Sequence, residues 1–132
     1  MMYSVMLVDN EPIIPKGLMK LIDWRSCDCQ ISAVARDGID AVRQIREQAP
    51  DILITDIRMP EMDGFDVLRV MQCYAWQEEI PVIVISAAED TRSVERAYDM
   101  GVADYIRRPF ERVMVLRRVK NALMLYAKQK RL

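Results

Sequence analysis

The strongest constraint on the fold is an alternation of five short apolar runs with segments of helical spacing. The apolar runs occupy residues 5–8, 31–35, 52–55, 81–85 and 103–106. Between and after them, apolar residues recur every three or four positions, which is typical of amphipathic helices. Strands that alternate with helices through short connections pair in parallel. The pattern therefore predicts an α/β domain with a doubly wound sheet of five parallel strands and five surrounding helices.

Local signals place the helices between the strands. Pro12 suits an early helical turn, Asp63 suits an N-cap, Asp90 or Thr91 can cap the following helix, and Gly101 is a stop signal. Trp24 is expected to close the first helix against the core. The apolar positions expected to mark the helices are Ile14, Leu18, Leu21 and Ile22; Ile39, Val42, Ile45 and Ala49; Phe65, Leu68 and Met71; Val94, Ala97 and Tyr98; and Leu116, Val119, Leu123 and Tyr126.

Length and composition exclude several classes of protein. The chain has 132 residues, which suits one domain. Its longest apolar run, residues 80–88, is far shorter than the roughly 20 residues of a membrane span, and residues 1–4 lack the pattern of a signal peptide. We therefore expect a cytoplasmic protein with reduced cysteines and no membrane contact. The absence of histidine excludes Ser-His and Cys-His catalytic pairs and a phosphoryl-donating imidazole.

The run at residues 52–55 ends in a carboxylate. Four apolar or β-branched residues in a row predict a strand that is buried on both faces, and Asp56 follows at once. A charge at the end of a buried strand is costly unless the function requires it. Ligands collect at the carboxyl ends of the strands in an open parallel sheet. We therefore interpret Asp56 as a nucleophile that accepts a phosphoryl group.

Three further polar residues follow other strands. Asp9, Ser86 and Arg108 come just after strands one, four and five, as Asp56 comes after strand three. In a sheet of order 2-1-3-4-5 these four strand ends are neighbours. Mg²⁺ would relieve the repulsion between the carboxylates and neutralise an incoming phosphoryl group. The Ser86 hydroxyl could then hydrogen-bond a phosphoryl oxygen, and Arg108 could pair with it.

Four motifs now give the chain a family resemblance. They are residues 8–12 (VDNEP), 55–64 (TDIRMPEMDG), 84–87 (VISA) and 101–110 (GVADYIRRPF). In this order and spacing, over residues 3–125, the chain resembles the receiver (CheY-like) domain of bacterial two-component response regulators. The resemblance implies a flavodoxin-like fold of strand order 2-1-3-4-5.

The resemblance also implies a set of roles. Asp56 would be phosphorylated by a sensor histidine kinase, with Mg²⁺ held by Asp9, Asp56, Asn10 and the backbone carbonyl of Arg58. Ser86 and Arg108 would assist the reaction. Ser86 and Tyr105 would form a switch pair: phosphate draws the Ser86 hydroxyl inward, and the Tyr105 ring fills the space vacated. The face made by helix four, strand five and helix five would change shape as a result, through a population shift.

Two positions depart from the family pattern. Asn10 stands where an acid usually ligates the metal, and Arg108 stands where lysine is usual. Loss of one carboxylate should weaken Mg²⁺ binding, although Glu11 is a candidate accessory ligand. Arginine keeps the charge of lysine but changes its reach and geometry. We therefore expect slower or weaker phosphorylation and some activity in its absence.

The C-terminal part of the chain suggests partners. Residues 104–132 carry nine basic and two acidic residues, whereas residues 1–103 carry ten basic and 18 acidic residues. We interpret residues 1–125 as the receiver domain and residues 126–132 as a helical extension or the start of a linker to an output domain missing from this chain. The basic helix is expected to be solvated or to form a homodimer, with no direct nucleic-acid binding. Residues 17–24 resemble receivers of AraC-class regulators, whereas residues 117–126 resemble receivers that precede cyclic-diguanylate enzymes.

Other functions remain open at this stage. The first expectation is a phospho-accepting switch that is not an enzyme beyond its own phosphorylation and dephosphorylation. Asn10 and Arg108 favour a degenerate pseudo-receiver, an interaction or dimerisation module that works without phosphorylation. A flavodoxin-like cofactor binder is disfavoured because Asp9 and Glu11 would repel a flavin phosphate. An aspartyl phosphatase is disfavoured because Arg58, and not an acid, stands two residues after Asp56.

Overall fold

The strands form one parallel sheet. The computed structural model describes residues 2–59, 61–86 and 91–130, with the backbone alone at residues 91 and 127–130. Within these residues the sheet has five strands in the order β2-β1-β3-β4-β5, as the sequence predicts. The strands are β1 (Tyr3–Val8), β2 (Cys29–Ala35), β3 (Ile52–Thr55), β4 (Val82–Ser86) and β5 (Asp104–Arg107).

Helices connect the strands in sequence. They are α1 (Ile13–Leu21), α2 (Gly38–Glu47), α3 (Gly64–Cys73), α4 (Thr91–Asp99) and α5 (Arg112–Lys130), with short 3₁₀ helices at Trp24–Cys27 and Trp76–Glu78. The Asp63 side chain accepts from the backbone N–H of Asp66, and the Asp66 side chain accepts from that of Asp63, so the predicted cap is a complete capping box. Gly101 has a φ of 88°, which confirms the predicted stop after α4. The predicted cap at Asp90 lies outside the described residues.

The core lies on both faces of the sheet. On one face Leu53 packs in a cluster with residues of α2, α3 and α4, among them Ile45 and Leu68. On the other face Ile52 and Ile54 pack with residues of α1 and α5, among them Val119. Successive side chains of a strand point to opposite faces, so β3 is apolar at each position that the helices cover. This burial confirms the prediction for residues 52–55.

Some predicted positions are wrong. Leu21 is 58% exposed and Ile39 is 51% exposed. Ala49 lies beyond the end of α2 and is exposed. In α1 the backbone becomes extended at Ile22, and Trp24 folds back so that its Nε1–H donates to the carbonyl oxygen of Leu18 at 3.1 Å. Ile22 and Trp24 thus fill the space that Leu21 was expected to occupy.

None of the described helices is both long enough and apolar enough to cross a membrane.

Candidate functional site

Four polar side chains meet at the carboxyl edge of the sheet. Asp9 follows β1, Asp56 follows β3, Ser86 ends β4 and Arg108 follows β5. Asp9, Asp56 and Ser86 are only 5%, 8% and 1% exposed, although all are polar. The strand order puts β1, β3, β4 and β5 side by side, which brings together residues up to 99 positions apart in the chain. The sequence predicts this grouping, and the structure has it.

Arg108 is the cation of this group. Its Nη2 lies 2.6 Å from Asp9 Oδ2 and 3.9 Å from Asp56 Oδ2. The first contact is a charge-assisted hydrogen bond, and the second is a longer ion pair. The Arg108 Nε is buried and has no hydrogen-bond partner among the described residues. The guanidinium therefore binds Asp9 closely through Nη2, and its buried Nε–H is an additional donor with no partner among the described residues.

The Asp56 carboxylate is buried and close to a like charge. Its Oδ1 accepts a hydrogen bond from the backbone N–H of Ile57 at 2.8 Å. Burial and then the charge of Asp9 raise the pKa of Asp56, while Arg108, the Ile57 N–H and a hydrogen bond with Ser86 partly lower it. Asp56 is thus a carboxylate whose negative charge the site only partly compensates, which is the state that an added cation would stabilise.

The raised pKa of Asp56 predicts that the stability of the fold depends on pH. The pKa of Asp56 is raised in the folded state. The contribution of Asp56 to the free energy of unfolding is therefore most favourable below the unfolded-state pKa, and it is lost as the pH rises through the folded-state pKa. Asp56→Asn is therefore expected to stabilise the fold by roughly 1–2 kcal/mol near neutral pH. The gain should shrink toward about pH 4, where the wild-type carboxyl is increasingly protonated. Thermal unfolding followed by circular dichroism at several pH values measures it. The exposed Glu79→Gln serves as control, and an equal gain at all pH values would contradict the explanation.

The donors near Asp9 and Asp56 suit a hard cation. Mg²⁺ binds through one or two carboxylates and keeps water or phosphate oxygens as its other ligands. Among the described residues, Asp9 and Asp56 provide two carboxylates that share one close cation, Arg108, so the residues present fit Mg²⁺. In the described part of the chain, no group of three or more acidic or cysteine side chains is arranged to hold a metal.

Asn10 and Glu11 lie in the exposed loop after β1. The backbone N–H of Glu11 donates to Asp9 Oδ1 at 2.9 Å, which fixes the orientation of Asp9. Asn10 lines an open depression of about 540 Å³ beside the acidic pair. Other residues lining it are Arg58, Asp63, Phe65 and Arg96. The guanidinium of Arg96 stacks over the Phe65 ring at 4.1 Å, a contact between α4 and α3 that the sequence did not reveal.

Gly64 holds the loop after Asp56 against the site. Its N–H donates to the carbonyl oxygen of Ile57 at 2.8 Å. A Cβ at this position would lie 2.5 Å from the carbonyl oxygen of Asp56 and 2.9 Å from the Cα of Ile57. Glycine is therefore required at this position because two backbone segments meet there.

Asp104 and Tyr105 are the first two residues of β5, which leads to the site at its carboxyl end. The Tyr105 side chain is buried in the cluster that faces α4, whereas Asp104 is half-buried. Asp104 Oδ1 accepts from the Tyr98 hydroxyl of α4 at 3.1 Å, from Arg118 Nη1 of α5 at 2.6 Å and from the Tyr105 N–H at 2.8 Å. One carboxylate oxygen therefore links α4, β5 and α5 beside the tyrosine. The sequence did not point to Asp104 in this role, since the contacts depend on how α4 and α5 pack beside β5.

Known proteins resemble this chain over most of its length. A sequence model of the response regulator receiver domain matches residues 5–120. An uncharacterized response regulatory protein of Staphylococcus epidermidis is 33% identical over 110 residues. The transcriptional regulatory protein HptR of Staphylococcus aureus is 31% identical over the same length. Each match covers 83% of this chain and 42% of the relative, so the chain spans less than half the length of these relatives.

A solved structure has the same arrangement of strands and helices. The CheX–CheY–BeF3–Mg²⁺ complex from Borrelia burgdorferi includes a chain that is 30% identical, with a TM-score of 0.79. The match covers 90% of this chain and 87% of that one. That structure contains both Mg²⁺ and a beryllofluoride group.

Proposed function

Since the chain belongs to the response regulator receiver domain family, we propose that it is a phospho-accepting switch, with Asp56 taking a phosphoryl group from a sensor histidine kinase. The observation that carries the proposal is the buried Asp56 carboxylate at the end of the central strand, next to Asp9, Ser86 and Arg108. These 132 residues contain no histidine, so the phosphohistidine that donates the group lies outside them.

The transfer is an in-line displacement. An Asp56 carboxylate oxygen forms a bond to phosphorus while the bond from phosphorus to the donor nitrogen breaks, and that electron pair leaves with the imidazole. Asp9, Asp56, the Asn10 amide oxygen and the Arg58 backbone carbonyl would hold Mg²⁺, which neutralises charge on the phosphoryl oxygens when bound. Arg108 and Ser86 supply donors to the same oxygens.

The switch connects this site to the edge strand β5 and to the helices α4 and α5 beside it. Phosphorylation adds a dianion that draws the Ser86 hydroxyl toward it, and the position of the Tyr105 ring follows. Tyr105 adjoins Asp104, which binds Tyr98 and Arg118. A shift at Tyr105 would therefore move α4 and α5 together relative to β5. The equilibrium between two packings carries the signal.

The surface formed by α4, β5 and α5 is the part of the domain that would pass the signal on. We propose that the α4–β5–α5 surface regulates an output domain outside this chain, with transcription as the readout, and that the same surface forms a homodimer. HptR, a relative, is named a transcriptional regulatory protein. The domain would act in the cytoplasm and catalyse only its own phosphorylation and dephosphorylation.

A degenerate pseudo-receiver is the second candidate. It is favoured by Asn10 in place of an acid and by the 2.6 Å pairing of Arg108 with Asp9. Beryllofluoride, a phosphoryl analogue, separates the two candidates. With Mg²⁺ it should shift the backbone amide signals of Ile57 and Tyr105 in ¹H–¹⁵N spectra of a phospho-acceptor. Mg²⁺ alone and the Asp56→Asn variant are the controls. Spectra unchanged by beryllofluoride would favour the pseudo-receiver.

Restoring the missing acid should strengthen the site. Asn10→Asp is expected to raise Mg²⁺ affinity by about tenfold and to speed acetyl-phosphate labelling, since a third carboxylate attracts the cation. Calorimetry measures the affinity, and mass spectrometry measures the labelling rate. Asn121→Asp, at an exposed position of α5 outside the site, is the control because it adds the same negative charge. If neither affinity nor rate increased, Asn10 would not be what weakens the site.

A further inference from the structure

We infer that Arg108 is the resident cation of the acidic pair and competes directly with Mg²⁺ for Asp9. The inference rests on the proposed function, because it concerns the same phosphorylation site. It adds a regulatory property that the family resemblance does not supply: metal entry requires the guanidinium to release Asp9.

The first argument is that each carboxylate oxygen of Asp9 already accepts a hydrogen bond. Its Oδ1 accepts from the Glu11 N–H at 2.9 Å and its Oδ2 accepts from Arg108 Nη2 at 2.6 Å. The Asp9 side chain is 5% exposed, so water replaces neither donor readily. A cation that coordinates Asp9 Oδ2 would meet a guanidinium at hydrogen-bond distance. Like charges repel strongly at such a separation in a buried site, so one of the two cations must withdraw.

The second argument is the charge of the site. Asp9 and Asp56 carry two negative charges and Arg108 carries one positive charge, so the three groups have a net charge of −1. Asn10 adds no charge where the family usually has an acid. A divalent ion would make the total positive if Arg108 stayed in place. Asn10 thus reduces the demand for the metal, whereas Arg108 keeps the positive charge that lysine usually supplies and differs in how it reaches the carboxylates.

The third argument is the geometry of Arg108 itself. Its Nη2 is 3.9 Å from Asp56 Oδ2, and its Nε is buried without a partner among the described residues. An arginine has five N–H donors in a planar fork, so it can turn from a carboxylate to an oxyanion. A phosphoryl-type anion on Asp56 would attract the guanidinium from Asp9 and free Oδ2. Metal and anion would then bind with positive coupling.

The test measures Mg²⁺ binding without any phosphodonor. Calorimetry and the Ile57 amide signal report the affinity of the wild type and of Arg108→Gln. The matched control is Arg107→Gln, which removes the same charge one residue earlier, where the side chain is exposed. We expect Arg108→Gln to bind Mg²⁺ on the order of tenfold more tightly, as close charge pairs predict, and Arg107→Gln to change affinity by less than about threefold.

Further measurements keep the result decisive. Circular dichroism verifies folding, and Arg108→Met replaces Arg108→Gln if the latter does not fold. Beryllofluoride should raise Mg²⁺ affinity less in the Arg108 variant than in the wild type, because the competing cation is already gone. Equal effects of the Arg107 and Arg108 variants, or no gain in the Arg108 variant, would overturn the inference. Neither result depends on phosphorylation of Asp56, so failure here is distinct from failure of the proposed function.

Discussion

Replacing Asp56 with alanine is expected to abolish covalent phosphorylation of this chain. With acetyl phosphate and Mg²⁺, the wild-type protein should gain the mass of one phosphoryl group, in a linkage that is stable in acid and labile in base. Asp56 lies at the end of the central strand β3, its carboxylate is buried, and Ser86 and Arg108 are its neighbours. Asp9 is tied to Arg108 and to the Glu11 N–H, so it is not a substitute nucleophile.

A nearby carboxylate provides the matched control. Glu61 is exposed in the loop five residues after Asp56, and Glu61→Gln should label as the wild type does. Intact-mass spectrometry before and after alkaline treatment gives the measurement for both variants. Labelling that survives Asp56→Ala, or a wild-type protein that never labels, would refute the phospho-acceptor mechanism. The pseudo-receiver would then be the better account.

Gly64→Ala is expected to cause a large loss of stability. Its new Cβ would lie 2.5 Å from the Asp56 carbonyl oxygen and 2.9 Å from the Ile57 Cα, and both of these are backbone atoms that cannot rotate away. Relief requires the loop to move away from Asp56. We expect a loss of about 2–3 kcal/mol in the free energy of unfolding and a drop of ~10 °C in Tm. Labelling of Asp56 should also slow, because the displaced backbone is that of Asp56 itself.

Gly17→Ala is the matched control for this substitution. Gly17 lies inside α1, and a Cβ there would have no neighbour within 4 Å. Alanine forms helices better than glycine, so this variant should gain roughly 0.5–1 kcal/mol and label normally. Chemical denaturation of both variants gives the comparison. Equal stability of the two variants would show that the contact at Gly64 does not determine the fold of the loop.

Local patterns predicted most of the secondary structure. The apolar run before Asp56 is buried because the helices cover both faces of β3, and the Asp63 cap and the Gly101 stop depend on a few adjacent residues. The errors occur where packing overrides spacing. Leu21 fits the helical spacing of apolar residues in α1 but faces solvent, because Ile22 and Trp24 fill the space below the helix.

The sequence by itself determined the five strands and their parallel pairing, because side-chain periodicity and strand ends are local properties. The strand order 2-1-3-4-5, which the family resemblance implied, then made the ends that carry Asp9, Asp56, Ser86 and Arg108 neighbours. Only the tertiary structure decided from which donor each carboxylate oxygen accepts a hydrogen bond. Arg108 binds Asp9 more closely than Asp56, Asp104 joins α4 to α5, and Gly64 contacts the Asp56 backbone. Such contacts depend on how separate strands, helices and loops pack to within a few ångströms, and no spacing along the sequence encodes those distances.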